Sequence, residues 1–311
     1  EESKLPKKVS RLMGRPTSNK ILNQIFLPGP QYLLALADGG RWLVSAMDVG
    51  VLPILAKLCE AMQLRVMSPK ETLQGTLKGI VRRLVLKTQS QSAAFSPVLP
   101  VPSKDGESFR FDLPLCLVES GFSPLLILSS LIFSRDVQAR GGVLLHGALA
   151  ERDGIGVILA APGGTGKTTA SLRLPAPWRA LCDDTTLVVR DSHGNYQAHP
   201  WPTWSRFADD GPGGTWDVQR AIPLKSIFFL DRALEDRAEK IGTGQAVSLL
   251  SECAKQASGL MTSSLSIEET RALNLERFNN LCALAPRISS HILQISLTGS
   301  FWNEIDRALT E

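Results

Sequence analysis

The spacing of apolar positions divides the chain into two textures. In the first, Gln31 to Asp48 (QYLLALADGGRWLVSAMD) gives two short apolar strands around an Asp38-Gly39-Gly40 turn. Val51 to Leu64 follows with apolar residues at helical spacing, and Leu73 to Leu86 reads as a second amphipathic helix. Residues 88–108 (TQSQSAAFSPVLPVPSKDGES) mix polar residues, three prolines and a Lys104-Asp105-Gly106 turn, the strongest linker or long-loop signal in the chain. The second texture has clearer strands and sharper punctuation. Residues 143–150 and 155–160 form an antiparallel hairpin across Glu151-Arg152-Asp153-Gly154. The second of these strands runs into APGGTGKTTASLRLP, whose helix Pro175 stops. Another hairpin joins 186–190 to 195–198, and 224–230 is a further strand. Helices at about 245–257 and 267–284, the latter opened by the capping box Ser266-x-x-Glu269, a strand at 291–297 and a helix at about 301–309 complete the chain.

Composition narrows the class without naming it. With 311 residues, 43% hydrophobic and 21% charged, the chain is globular rather than fibrous or disordered, and is long enough for two domains. The longest nearly apolar run, Phe122 to Phe133, is too short to span a bilayer, and no signal-peptide pattern is present. The five cysteines are odd in number and contain no CxxC pair, which points to buried thiols in a reducing compartment. The expectation is a cytoplasmic protein with no membrane partner. A net charge of +4 is too mild for a dedicated nucleic-acid binder. Its excess sits in a basic arm (Lys4, Lys7, Lys8, Arg11, Arg15, Lys20) and on the expected helix carrying Lys78, Arg82, Arg83 and Lys87, which fits an acidic peptide better than a nucleic acid.

The chemistry concentrates after residue 120. Ala161-Pro162-Gly163-Gly164-Thr165-Gly166-Lys167-Thr168 fits a phosphate-binding loop with Ala in place of the first Gly. Small residues let backbone N–H groups approach phosphate oxygens, Lys167 reaches the β and γ phosphates, and the Thr168 hydroxyl ligates Mg²⁺. A triphosphate site also needs an acidic element, and Asp183-Asp184 stands sixteen residues beyond Lys167, ahead of a strand. One carboxylate can hold Mg²⁺ while the other takes a proton from an attacking hydroxyl. An acidic surface turn is the plainer alternative for the pair. His199 to Phe207 (HPWPTWSRF) reads either as a recognition segment, with Arg206 for phosphate or an acidic group, or as a stiffened core loop. Gly211-Pro212-Gly213-Gly214 reads as a flap over the site or as a plain turn.

Acids that precede the strand TLVV, a loop entered from an antiparallel hairpin, and His146-Gly147 in that hairpin together resemble the HPr kinase/phosphorylase family. The stretches HGALAERDGIGVILAAPGGTGKTT and CDDTTLVV keep that family's order and spacing. LADGGRW, CLVES, AHPWPTWSRF, WDVQRAIPL and LTGSFW further resemble one branch, the SynChlorMet cassette protein ScmC. The resemblance implies an α/β fold of the phosphoenolpyruvate-carboxykinase-like type with a mixed sheet, preceded by a smaller α+β domain. The expected organisation is an arm at 1–20, an α+β domain at 21–120 with a role in peptide recognition, and a kinase domain at 121–311. ATP is expected on the loop residues Gly163, Gly164, Thr165, Gly166, Lys167, Thr168 and Thr169 and on Arg206, and the family pattern carries over onto Lys167 and Thr168 among them. It puts Mg²⁺ on Thr168 and Asp184, makes Asp183 the general base, and sets His146 near the transferred phosphoryl. The implied activity is γ-phosphoryl transfer to a Ser or Thr hydroxyl of a peptide or small protein, such as a precursor encoded in the same cassette. A nucleotide-binding regulator without transfer and a small-molecule kinase are the alternatives. HPr enzymes form hexamers, so a homo-oligomer is also implied. Thr169 stands where those enzymes typically have Glu, and their Arg-rich phosphorylase signature has no counterpart here, so the reverse activity is not part of the expectation.

Overall fold

In a computed structural model, the described residues are 29–68, 81–89, 101–102, 108–114, 122–161, 165–207, 211–259 and 265–310. The basic arm, Lys78, Cys116, the 260–264 segment and the tip of the glycine-rich loop lie outside them. The fold is mixed α/β and divides into two compact units. One holds residues 1–35, 40–60 and 64–124, the other 36–39, 61–63 and 125–311.

In the first unit, β1 (Tyr32–Ala35) pairs antiparallel with β2 (Arg41–Ala46), as the alternation around Asp38-Gly39 predicts. Gly39 sits at φ +82°, a conformation that only glycine adopts without strain. Helix α1 (Leu52–Ala61) follows a single 3-10 turn that Asp48 caps, accepting from the Gly50 N–H at 3.0 Å. β3 (Arg65–Val66), β4 (Arg82–Gln89), β5 (Val101–Pro102) and β6 (Ser108–Pro114) complete a sheet of order β3-β1-β2-β4-β6-β5.

Two expectations change here. The helix read over Leu73–Leu86 is, from Arg82 onward, the strand β4, parallel to both β2 and β6. Leu84 and Leu86 are fully buried while Arg83 and Val85 are only partly so. A short run with leucines at 84 and 86 fits either period, and the two flanking strands decide it. The segment 88–108 is not a linker between domains, because the strands on both sides of it, β4 and β6, are hydrogen-bonded neighbours in one sheet.

In the second unit, α2 (Phe122–Ala139) leads to the hairpin of β7 (Val143–Arg152) and β8 (Ile155–Ala160). Its turn has Asp153 at φ +52° and Gly154 at φ +78°, the pair of positive φ values that an Asp-Gly hairpin supplies. Helix α3 (Lys167–Arg173) ends just before Leu174-Pro175, where proline forces extended backbone. Next come β9 (Arg179–Cys182), β10 (Thr185–Arg190), β11 (Tyr196–Trp201), β12 (Ile222–Arg232) and β13 (Arg237–Lys240). Helices α4 (Thr243–Ser258) and α5 (Ile267–Leu284), strand β14 (Ser289–Ile295) and helix α6 (Trp302–Thr310) close the chain. Ser266 and Glu269 form the expected capping box of α5.

The sheet runs β11-β10-β7-β8-β12-β14-β13, with β9 on β7 and a further pairing of β11 with β12. β8, β12 and β14 are parallel and fully central, so Val157, Ile158, Leu159 and Phe228 are buried on both faces. Ala170 of α3 and Ile305 of α6 pack with Phe301, Leu159 and Leu293 into one cluster, while α4 lies against β7. No helix among the described residues is long and apolar enough to cross a membrane. Cys59, Cys182 and Cys253 are buried free thiols as expected, but Cys282 is exposed on α5.

Gly147, next to His146, has a steric cause. A Cβ there would sit 2.7 Å from Ile158 Cγ2 and 3.2 Å from the Leu159 carbonyl oxygen of the paired strand. Gly147→Ala is therefore expected to destabilise by about 1–3 kcal/mol, the usual cost of overpacking, and a urea unfolding curve would show it as a lower midpoint.

Candidate functional site

The site forms where β8 leaves the sheet. Ala161 is buried, Pro162, Gly163 and Gly164 lie outside the described residues, and Gly166 caps α3 at φ +108°. Lys167 opens the helix, yet its side chain is only 6% exposed and folds back so that Nζ donates to the Ala161 carbonyl at 3.0 Å. Burial pulls the ammonium below its ordinary pKa, while the charges of Asp184 and Cys253 push it back up. Thr168 and Thr169 are exposed on the same first turn. Thr165 is held from the other side: Arg232, at the carboxyl end of β12, donates to its carbonyl at 3.2 Å.

The aspartate pair occupies the corner between β9 and β10. β10 pairs with β7 so that Thr185 faces His146, which brings His146 to Asp184 across 38 residues of sequence. His146 Nε2 donates to Asp184 Oδ1 at 2.9 Å, because a carboxylate can only accept. Its Nδ1 lies 2.6 Å from Gln256 Oε1 on α4. That nitrogen either donates from an imidazolium or, with the Gln256 amide turned over, accepts from its NH₂. Burial raises the Asp184 pKa, but the hydrogen bond and charge of His146, the charge of Lys167 and the Thr185 hydroxyl outweigh it and hold the carboxyl below its ordinary value.

Asp183 turns to other partners. The Thr203 hydroxyl donates to its Oδ1 at 3.1 Å, and Arg206 Nη2 to its Oδ2 at 2.7 Å. Both donors come from the stretch after β11, whose last residue, Trp201, pairs with Thr185 and so delivers that stretch to the corner. Lys167, Asp184 and His146 thus make one electrostatic cluster, with Asp183 and Arg206 on its flank.

The HPWPTWSRF segment divides the two roles read into it. His199 and Trp201 are buried in β11, as a core segment requires, while Arg206 pairs with Asp183. His199 accepts from the Ala37 N–H at Nε2 (3.3 Å) and donates from Nδ1 to the Val218 carbonyl (2.9 Å), a neutral ring with both nitrogens used. Burial pushes its pKa from 6.5 down to about 4. The unfolded chain binds this proton below about 6.5 and the folded one only near 4. Its contribution is therefore complete above pH 6.5 and is lost as the pH falls toward 4, about 3 kcal/mol in all. Unfolding free energies at pH 7 and pH 5 should show a drop that His199→Gln flattens; equal slopes in the two proteins would contradict the assignment.

Three residues at the site were not singled out from sequence. Gln256 carries no motif signal, and Thr203 stands within HPWPTWSRF without a residue type that marks it; they reach His146 and Asp183 through strand register and helix packing. Arg232 had one usable cue, its place at the end of an apolar strand.

Residues 125–310 match the SynChlorMet cassette protein ScmC family, more than half of the 311 residues. The chain belongs to this family. The match to ScmC runs from α2 to α6 and so contains every residue of the cluster described above. A search of curated proteins gives no match.

Proposed function

We propose that this ScmC-family chain is an ATP-dependent kinase of the HPr kinase-like type, transferring the γ-phosphoryl group to a Ser or Thr hydroxyl of a peptide or small protein. The observation that carries the reading is the nearness of a buried Lys167, at the start of a glycine-led helix, to an ionised Asp184 that His146 holds in place. A lysine for phosphate and a carboxylate for the metal are the two charges a triphosphate site needs side by side.

The donor set fits Mg²⁺. Among the described residues, no group of three or more His, Cys, Asp or Glu side chains could hold a metal alone. Mg²⁺ does not need one, since it takes one or two protein oxygens and completes its shell with phosphate oxygens and water. Asp184 and the exposed Thr168 hydroxyl would supply those oxygens. When bound, the ion neutralises charge on the transferring phosphoryl group.

The chain's own groups do the rest. Lys167 exchanges the Ala161 carbonyl for phosphate oxygens, Gly163, Gly164, Thr165, Gly166 and Thr169 frame the phosphates, and Arg232 steadies the loop through Thr165. Asp183 takes the proton of the acceptor hydroxyl while that hydroxyl oxygen bonds to the γ-phosphorus and the bond from the γ-phosphorus to the ADP oxygen breaks. For that, Arg206 must pass its hydrogen bond from Asp183 to another anion, and the γ-phosphate is the matched receiver. His146 acts as a positioning residue for Asp184.

One observation favours a second reading, a nucleotide-binding regulator without transfer: both Asp183 oxygens are engaged by Thr203 and Arg206. Incubation with γ-labelled ATP, Mg²⁺ and a synthetic precursor peptide from the same cassette separates the two. Label on a serine or threonine is the expected result. Micromolar nucleotide binding with no labelled peptide, protein or small hydroxyl compound would overturn the kinase reading in favour of the second. Label on a small molecule alone would move the acceptor class.

A further inference from the structure

Two donors from one short turn hold the same carboxylate. Thr203 precedes the 3-10 turn Trp204–Phe207 and Arg206 lies within it, and the Arg206 N–H closes the turn on the Thr203 carbonyl at 3.2 Å. Thr203 is buried, and its hydroxyl reaches Asp183 Oδ1 at 3.1 Å. The Arg206 guanidinium holds Oδ2 at 2.7 Å from a side chain that is 37% exposed, so this second contact can be exchanged without disturbing the core. The turn has another attachment. The Arg206 carbonyl accepts from the Gly213 N–H at 2.8 Å, within the Gly211-Pro212-Gly213-Gly214 segment that the sequence marks as a flap or a plain turn. Gly213, at φ +67°, lies so close to Phe207 that a Cβ would stand 3.2 Å from its ring, and that ring leans on Trp216 with centroids 6.1 Å apart. Arg206 therefore touches the acid by its side chain and the glycine segment by its backbone.

What the guanidinium meets changes with the nucleotide. In the triphosphate site proposed above, on which this inference rests, Asp183 must reach the acceptor oxygen, and that oxygen must reach the γ-phosphorus. A guanidinium on Asp183 is thus one side-chain swing from the γ-phosphate. Carboxylate and phosphate are both matched receivers for the arginine fork, and both bonds are charge-assisted, so the exchange is close to balanced. A terminal phosphate carries more charge than a carboxylate and tips it. ADP lacks that group and leaves the Arg206–Asp183 pair as it stands. We propose that Arg206 is the γ-phosphate sensor of the site: ATP draws its guanidinium from Asp183, and the Gly213 bond carries the shift of the turn into residues 211–214, which close over ATP and not over ADP. The acid is then released only when there is a phosphoryl group to transfer.

Amide hydrogen exchange on the full chain tests this, read over fragments covering Thr203–Trp216, with MgADP, with MgADP plus beryllium fluoride, and with Mg²⁺ and the β,γ-imido analogue of ATP. At saturating nucleotide, exchange should be at least about fivefold slower with the imido analogue than with MgADP. Beryllium fluoride, which stands in for the missing phosphoryl group, should produce the same slowing in the ADP sample. Arg206→Ala should give equal exchange with both nucleotides, and Arg206→Lys, which keeps the charge but not the fork, should retain part of the difference. A turn with only a structural role would respond alike to every nucleotide. Equal exchange with MgADP and the imido analogue in the parent, or a difference that survives Arg206→Ala, would overturn the proposal, and the comparison within the parent decides it if the variants do not fold. Nucleotide calorimetry and peptide labelling on the same samples keep the readings apart. A parent that labels peptide without the exchange difference loses the sensor and keeps the kinase, a parent with the difference and no labelled acceptor keeps the sensor and loses the kinase, and one that binds neither nucleotide loses both.

Discussion

Asp183→Asn is expected to bind MgATP as tightly as the parent and to lose phosphoryl transfer by about two to four orders of magnitude, the usual contribution of a positioned general base. The substitution is nearly isosteric. The amide oxygen can still accept from Thr203 or Arg206, so the corner between β9 and β10 keeps its shape. What disappears is the capacity to take a proton from the acceptor hydroxyl. Asp183 also stands on the flank of the cluster, where Lys167 and His146 act on Asp184 instead, which is why binding should survive. Single-turnover transfer and a nucleotide titration on one sample check both halves. Equal transfer by parent and variant would remove Asp183 from the chemistry.

Lys167→Ala is expected to act earlier, on the triphosphate itself. The ammonium is buried at the start of α3, donates to the Ala161 carbonyl and lies in the field of Asp184. Its removal strips the loop of its only described basic side chain within the Ala161–Thr169 stretch, and Asp184 then meets the incoming phosphates without the lysine's charge. A fall in transfer of about two to three orders of magnitude follows if a lost donor to the developing charge costs what such donors usually do. MgATP affinity should fall as well, unlike in Asp183→Asn. The fold should be retained, because the alanine removes a desolvated charge and satisfies helix propensity; circular dichroism and a thermal melt would verify this.

The elements that could be read from sequence were those with local punctuation. Asp153-Gly154, Pro175 and the Ser266–Glu269 box each mark a boundary by a backbone preference that needs no distant partner. Strand β4 and helix α2 lacked such marks. Arg82 to Leu86 takes its state from β2 and β6, and Phe122–Ala139 is buried on nearly all sides with serines among its apolar residues, so it shows no amphipathic stripe. At the site, the loop and the acid pair stand out in the sequence because phosphate and metal chemistry would restrict residue types in this way. The partition of the acids was not: His146 on Asp184 and Arg206 on Asp183 follow from the registers Thr185–His146 and Thr185–Trp201, which no local pattern encodes.

The central claim is that Lys167, Thr168 and Asp184 form one triphosphate–metal site. Calorimetric titration with a non-hydrolysable ATP analogue, with and without Mg²⁺, tests it most directly in the parent and in Asp184→Asn. The account predicts micromolar binding that Mg²⁺ strengthens in the parent, and binding indifferent to Mg²⁺ in the variant. No binding by the parent, or the same Mg²⁺ dependence in both proteins, would contradict it.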